Sequence, residues 1–118
     1  SGIDVSRPGE VQQEIVYNLA QKVLDKLGTG MQMPKDKVVC YGDYYLPGYS
    51  LPNDGMIEAV KLLAQTEAIL LDPVYSGKAF AGMIDLIRKG VIAEGSNVLF
   101  LHTGGSPALY AYMPTFRG

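Results

Sequence analysis

The chain has 118 residues, a formal net charge of −2 and a single cysteine. This length suits one domain with a buried core, and the small negative charge gives no reason to expect nucleic acid or a membrane surface as a partner. No apolar run approaches the roughly 20 residues of a membrane span, and the lone Cys40 excludes an internal disulfide. We expect a reduced, soluble, cytoplasmic protein in which Cys40 is a small buried residue rather than a nucleophile.

The first third of the chain predicts a strand followed by a long amphipathic helix. Residues 2–6 have the character of the end of a strand without a lead-in, which suggests a piece of something longer. Pro8 suits the first turn of a helix, and Gly28 and Gly30 suit its end. Apolar side chains recur at every fourth position between them, as expected of one helical stripe: Val11, Ile15, Leu19, Val23 and Leu27.

The remainder of the chain predicts three more strands, each followed by a helix. A repeated strand–helix order with connections of this length favours parallel crossovers. The predicted fold is therefore α/β, with a three-layer, mostly parallel sheet and helices on both faces. The predicted strands are residues 38–41, 68–71 and 97–101. Of the three predicted helices, the first is capped by Asn53 or Asp54, the second covers residues 77–89 and the third lies around residues 108–112.

Three polar loops follow the last three predicted strands, at residues 44–49, 72–77 and 102–106. In a parallel sheet the loops that leave the carboxyl ends of the strands emerge at one edge, which is where open α/β sheets bind their ligands. We therefore expect these loops to converge on one rim and to form the functional site.

Several side chains in these loops have both a chemical and a structural interpretation. Tyr75 could exchange protons if its pKa were shifted, or it could simply pack, as loop tyrosines often do. Ser76 is typical of a helix N-cap, and Lys78 of a solvated surface lysine. His102 could be an acid, a base or a metal ligand, or a structural histidine.

The glycine pair Gly104 and Gly105 also has two interpretations. Glycines before a helix N-terminus could cradle a phosphate or a carboxylate, or they could supply a tight turn with positive φ. Physical reasoning from the residues alone predicts an α/β domain whose polar rim binds a small anionic ligand.

Three motifs, in order, carry a resemblance to a known family. Residues 47–55 read PGYSLPNDG, residues 71–78 read LDPVYSGK, and residues 101–109 read LHTGGSPAL. Together they resemble the end of the pyridoxal-phosphate enzymes that include 1-aminocyclopropane-1-carboxylate (ACC) deaminase and D-cysteine desulfhydrase. The resemblance implies pyridoxal 5′-phosphate as cofactor and a larger, tryptophan synthase beta-like fold. Residues 1–118 would be one α/β segment, the C-terminal part of its large cofactor-binding domain.

The resemblance also implies roles for single residues. Tyr49 matches a tyrosine that lines the substrate pocket, and Tyr75 matches a catalytic tyrosine that exchanges protons with the substrate. Ser76 matches the position that faces the pyridine nitrogen of the cofactor. Thr103, with the adjacent Gly104, matches the loop beside the cofactor ring.

Two of these positions favour one activity within the family. The deaminase pattern has glutamate where this chain has Ser76 and leucine where it has Thr103. The implied reaction is the α,β-elimination of D-cysteine to pyruvate, hydrogen sulfide and ammonia. The alternatives are an ACC deaminase, a non-catalytic α/β domain that binds a small anion, and an interaction module built on its tyrosines.

The chain departs from the family pattern in one respect. The lysine that binds the cofactor covalently and the glycine-rich loop that holds its phosphate lie upstream in the family, and no lysine of this chain matches the former. We therefore expect the isolated chain to be inactive. The expected partners are a small D-amino acid and the remainder of a full-length, homodimeric enzyme, with neither nucleic acid nor membrane involved.

Overall fold

The computed structural model describes residues 1–117, and most of their regular structure is helical. The helices predicted from apolar periodicity all form, with ends that differ from the predictions by a few residues. In chain order the elements are β1 (Gly2–Ile3), α1 (Gly9–Lys26), a 3-10 turn (Lys35–Lys37), β2 (Cys40–Tyr41), α2 (Asp54–Glu67), α3 (Ser76–Arg88), a 3-10 segment (Ser106–Tyr112) and α4 (Met113–Phe116).

The two strands pair in parallel, as the predicted crossover connection requires. Gly2 lies opposite Cys40 and Ile3 opposite Tyr41. The start of α1 packs directly on the end of β2, where a Cβ atom on Gly9 would lie 2.6 Å from the carbonyl oxygen of Cys40. Glycine is therefore required at this crossing, and it fixes where α1 leaves the sheet.

The strands predicted at residues 68–71 and 97–101 do not form in the part of the chain that the structure describes, where the sheet has two strands. A strand exists only when a neighbour completes its backbone hydrogen bonds, which local sequence cannot supply. The carbonyl oxygen of Leu70 instead accepts hydrogen bonds from the side chains of His102 and Ser106. Leu99 and Leu101 are 92% and 77% exposed, so little of the described chain covers them.

The core lies between α2 and α3. Met56, Val60 and Leu71 are buried there, and the rings of Phe80 and Phe100 meet edge to face with centroids 5.1 Å apart. The side-chain oxygen of the predicted cap Asn53 accepts the N–H of Met56 at 2.8 Å and begins α2. A Cβ atom on Gly77 would lie 2.6 Å from the Asp72 carbonyl oxygen, so glycine allows α3 to approach the preceding turn.

The apolar stripe of α1 faces outward. Its side chains at positions 11, 19 and 27 are 52%, 61% and 70% exposed, and α1 contains no buried residue. The periodicity thus predicted the helix correctly, although the described residues do not cover its apolar side. None of the helices within residues 1–117, α1 included, is long and apolar enough to cross a membrane.

Candidate active site

Two tyrosines from different loops meet at the rim. The hydroxyl groups of Tyr49 and Tyr75 are hydrogen-bonded to each other. Their ring centroids lie 5.9 Å apart with an interplanar angle of 61°. Each side chain is about half exposed, at 51% and 49%. The structure therefore brings together the predicted substrate-binding tyrosine and the predicted catalytic tyrosine, with both phenols accessible to a small molecule.

The hydrogen bond within the tyrosine pair affects the acidity of Tyr49. The hydrogen bond to Tyr75, and burial after it, raise the pKa of Tyr49 above its ordinary value. Either phenol can be the donor, since each hydroxyl has one proton to donate and lone pairs to accept. Two hydrogen-bonded phenols that a small molecule can reach are suited to exchanging a proton with it.

A buried carboxylate organises the turn that carries Tyr75. Asp72 is 1% exposed. Its Oδ2 atom accepts the backbone N–H groups of Val74 and Tyr75 at 2.8 and 2.7 Å. Its Oδ1 atom accepts the N–H and the hydroxyl of Ser76 at 2.8 and 2.6 Å. Burial by itself would raise the pKa of Asp72, but the hydrogen bonds from Ser76, Tyr75 and Val74 outweigh it and hold the pKa below its ordinary value.

Asp72 is not among the predicted site residues. The signal that could have found it is an aspartate before proline, just ahead of a helix, since such residues bond the backbone of the following turn. This one side chain fixes the backbone of both Tyr75 and Ser76, so it sets the geometry of two predicted site residues.

Ser76 lies at the start of α3 and is 3% exposed. Its hydroxyl donates to Asp72 Oδ1, and its oxygen accepts the N–H of Asp72 at 2.8 Å. A hydroxyl has one proton and two lone pairs, so in this arrangement Ser76 can offer a further partner only a lone pair. Its contact with the pyridine nitrogen of a cofactor stays a prediction.

His102 has a structural role. Its Nδ1 atom accepts the N–H of Gly104 at 3.1 Å, so the ring proton lies on Nε2, which donates to the Leu70 carbonyl oxygen at 3.0 Å. Both ring nitrogens are used, and residues 1–117 contain no group of three side chains suited to hold a metal ion. The structural interpretation of His102 therefore agrees with its contacts.

The glycine loop packs against the Asp72 turn. Gly104 and Gly105 have φ angles of +101° and +92°, which side-chain-bearing residues rarely adopt. A Cβ atom on Gly105 would lie 3.0 Å from the carboxylate carbon of Asp72, whereas one on Gly104 would meet no atom within 4 Å. The backbone at Gly104, next to the exposed Thr103, therefore borders open space into which a flat ligand could fit.

Lys78 is not the surface lysine that the sequence suggested. Its side chain is fully buried, and Nζ donates to the carbonyl oxygens of Tyr45 and Gly48 at 2.8 and 2.7 Å. The hydroxyl of Tyr112 reaches the same loop and donates to the carbonyl oxygen of Ser50 at 3.0 Å. Contacts between side chains and backbone therefore connect the three loops, even though two of the predicted strands are missing.

Cys40 shows no sign of activation. Burial, and then the negative charge of Asp4, raise the pKa of its thiol above the ordinary value. A thiol with a raised pKa stays protonated at neutral pH and is a poor nucleophile. The raised pKa agrees with the expectation that Cys40 is not a nucleophile, whereas the expected full burial is not found, since Cys40 is only partly buried.

An α/β chain that gathers hydroxyl groups and open glycine backbone at one rim has the features of a domain that holds a flat cofactor beside a small substrate. A family model described as "Pyridoxal-phosphate dependent enzyme" matches residues 4–104. The chain therefore belongs to the family of pyridoxal-phosphate-dependent enzymes, as the three motifs predicted.

Two individual relatives agree with this assignment. The chain is 44% identical over 116 residues to 1-aminocyclopropane-1-carboxylate deaminase from Pseudomonas syringae pv. tomato, a match that covers 98% of this chain and 34% of that protein. A solved structure described as "Crystal Structure Analysis of the ACC deaminase homologue" superposes with a TM-score of 0.82 at 35% identity, over 98% of this chain and 34% of that one. The predicted α/β class, with its tryptophan synthase beta-like fold, is thereby confirmed.

The chain spans about a third of the length of these two relatives. Its predicted place in the C-terminal part of a large cofactor-binding domain stays a prediction. So do the site roles of Tyr49, Tyr75, Ser76 and Thr103.

The predicted cofactor, pyridoxal phosphate, is confirmed by the family assignment. The residues present fit this cofactor. The open space beside Gly104 suits a planar ring, and the exposed Thr103 precedes this glycine in the chain. When bound, this cofactor supplies an electron sink for negative charge that develops on the α-carbon of an amino acid. The phenols of Tyr49 and Tyr75 would then serve the substrate.

Proposed function

We propose that the protein is a pyridoxal-phosphate-dependent lyase that converts D-cysteine and water to pyruvate, hydrogen sulfide and ammonia. The observation that carries this proposal is the hydrogen-bonded pair of accessible phenols, Tyr49 and Tyr75. An elimination must break the C–H bond at the α-carbon and the C–S bond at the β-carbon, and it must move a proton between them. Tyr75 carries that proton, and Tyr49 holds the substrate and is hydrogen-bonded to Tyr75.

The residues at two further positions favour elimination over ring opening. Ser76 presents a neutral hydroxyl already bonded to Asp72, where the deaminase pattern has a glutamate. Without a carboxyl group at this position, negative charge is less strongly drawn into the cofactor ring, and a β-substituent such as sulfide is expelled more readily. Thr103, exposed beside Gly104, supports the same assignment because the deaminase pattern has leucine there.

A second candidate function is ACC deamination. It is favoured by the 44% identity to a relative that bears the name 1-aminocyclopropane-1-carboxylate deaminase. Both candidates use the same cofactor and the same tyrosine pair, so the experiment that separates them compares their substrates.

A direct comparison of products decides between the two. We expect the full-length protein, loaded with pyridoxal phosphate, to release sulfide from D-cysteine with a kcat/KM at least about tenfold above that for 2-oxobutanoate release from ACC. We also expect the double variant Ser76→Glu with Thr103→Leu to shift this ratio towards 2-oxobutanoate. A glutamate at position 76 would have to turn away from the buried carboxylate of Asp72, because two carboxylates repel.

The control for this swap places the same two changes at exposed positions, as Ser96→Glu with Thr66→Leu. The control is expected to keep the parental product ratio. A full-length protein that forms 2-oxobutanoate faster than sulfide would assign it to the deaminases instead.

We further propose that activity belongs to a longer, homodimeric protein that supplies the covalent lysine and the phosphate loop. The 118 residues alone, mixed with pyridoxal phosphate and D-cysteine, are expected to give no sulfide above a protein-free blank. Sulfide release is measured beside the full-length protein as a positive control. Turnover by the isolated chain would show that one of its own lysines can serve.

A further inference from the structure

Lys78 is the largest fully buried side chain of the described residues. It lies in the first turn of α3, three residues after Tyr75. Its ammonium group donates to two backbone carbonyl oxygens of one loop, at Tyr45 and Gly48, with distances of 2.8 and 2.7 Å. Both acceptors are uncharged, so these contacts stabilise the buried cation through peptide dipoles and not through an opposite charge.

The position of Lys78 is energetically unfavourable for a cation. The positive end of the helix dipole disfavours a cation in the first turn, and burial removes the water that would solvate it. Burial indeed lowers the pKa of Lys78. The ion pairs found within residues 1–117 involve Lys37, Arg88 and Lys89, so Lys78 takes part in none of them. A neutral apolar side chain would avoid this cost, which points to a function for the two hydrogen bonds.

The loop that Lys78 holds carries Tyr49, the next residue after the Gly48 carbonyl group. Asn53 Nδ2 and the Tyr112 hydroxyl hold the two sides of the same loop, at the carbonyl oxygens of Leu46 and Ser50. Lys78 differs from these two anchors because one turn of α3 connects it rigidly to Tyr75. A short path through Lys78 therefore connects the backbone of Tyr49 to that of Tyr75.

We propose that Lys78 is a positioning residue whose two hydrogen bonds fix the loop of Tyr49 on α3 and so hold the Tyr49 hydroxyl against Tyr75. The proposal rests on the proposed function of the tyrosine pair. It assigns Lys78 no direct contact with the substrate. Its effect on the reaction passes through Tyr49, the residue that binds the substrate.

The test removes the donors while retaining the length of the side chain. In the full-length enzyme, Lys78→Met is expected to raise KM about tenfold and to lower kcat by less, because the substrate-binding tyrosine is displaced while Tyr75 keeps its Asp72-bound turn. In a Tyr49→Phe background, the same change is expected to leave KM within about twofold, because the interaction it supports is already absent. The exposed Lys61→Met on α2 is the matched control.

A second readout does not depend on turnover. Carbon-13 NMR of tyrosines labelled at Cζ reports hydrogen bonding of each phenol, with the signals of Tyr49 and Tyr75 assigned from their phenylalanine variants. We expect both signals to move in Lys78→Met and to stay in place in Lys61→Met. Lys78→Gln, which retains one donor group on a shorter chain, serves as a second variant and is expected to give an intermediate shift.

The outcomes are separable. Unchanged Cζ signals and an unchanged KM in Lys78→Met would overturn the proposal, as would equal effects of that change in the parent and in Tyr49→Phe. Circular dichroism that shows both Lys78 variants unfolded would also overturn it, because the lysine would then serve the fold as a whole. Failure of the proposed function would appear differently, as full activity of a Tyr75→Phe variant while the Cζ signals of the protein with both tyrosines still respond to Lys78→Met.

Discussion

Replacing Tyr75 with phenylalanine is expected to lower kcat of the full-length enzyme for D-cysteine by about 10² to 10⁴-fold, the range that general acid–base groups contribute. The change removes the hydroxyl that is hydrogen-bonded to Tyr49 and retains the ring that packs edge to face at 5.9 Å. The side chain is 49% exposed and the backbone is held by Asp72, so the fold is expected to be unaffected.

The partner residue gives a different result. Tyr49→Phe is expected to raise KM and to lower kcat only about tenfold, because Tyr75 remains and loses only its hydrogen bond to Tyr49. Steady-state sulfide release measures both parameters, and cofactor absorbance checks that both variants stay loaded.

A tyrosine outside the pair is the control for these two variants. Tyr110 is 76% exposed, and Tyr110→Phe is expected to behave as the parent enzyme. If Tyr75→Phe retained the parental kcat, proton transfer would have to be assigned to another group.

Local signals in the sequence predicted the helices well. The every-fourth-residue stripe of α1 and the Asn53 cap of α2 are set by neighbours within a turn or two, so the sequence contains the information needed to place them. The strands at residues 68–71 and 97–101 were predicted from apolar runs alone. Strand formation needs a pairing partner far away in the chain, and no local pattern specifies one.

The same distinction applies to the candidate site. Tyr49 and Tyr75 were selected by a motif match, and their direct contact is a tertiary fact that joins residues 26 apart. Lys78 was misjudged because its burial depends on a loop about 30 residues earlier in the chain. A lysine beside a glycine at a helix start gives no sign that carbonyl oxygens from elsewhere will surround it.

The second large effect concerns stability. We expect Asp72→Ala to lower the free energy of unfolding by about 3–5 kcal/mol, because it leaves buried N–H and O–H donors without an acceptor. The affected donors are the N–H groups of Val74, Tyr75 and Ser76 and the hydroxyl of Ser76. Urea unfolding followed by circular dichroism measures the loss.

A more conservative variant identifies the cause. Asp72→Asn keeps the shape of the side chain but replaces one acceptor oxygen with an NH₂ group, which then faces the donors. It is therefore also expected to destabilise the protein, by less than alanine does. The same change at Asp36, which is 73% exposed, is expected to alter stability by no more than about 0.5 kcal/mol. Equal effects at the two positions would show that the hydrogen bonds of Asp72 contribute little.

The charge on Asp72 also predicts how stability depends on pH. The folded protein holds the pKa of this carboxyl below its ordinary value of 3.8, so between the two values the unfolded chain binds the proton more readily and stability rises with pH. The contribution of Asp72 is therefore complete above the ordinary value and is lost as the pH falls through the lowered one. Asp72→Asn removes this dependence, and the difference between parent and variant should shrink as the solution is acidified through that window. Because the same carboxylate accepts the N–H of Tyr75, acid that protonates it also weakens the contact that holds this residue.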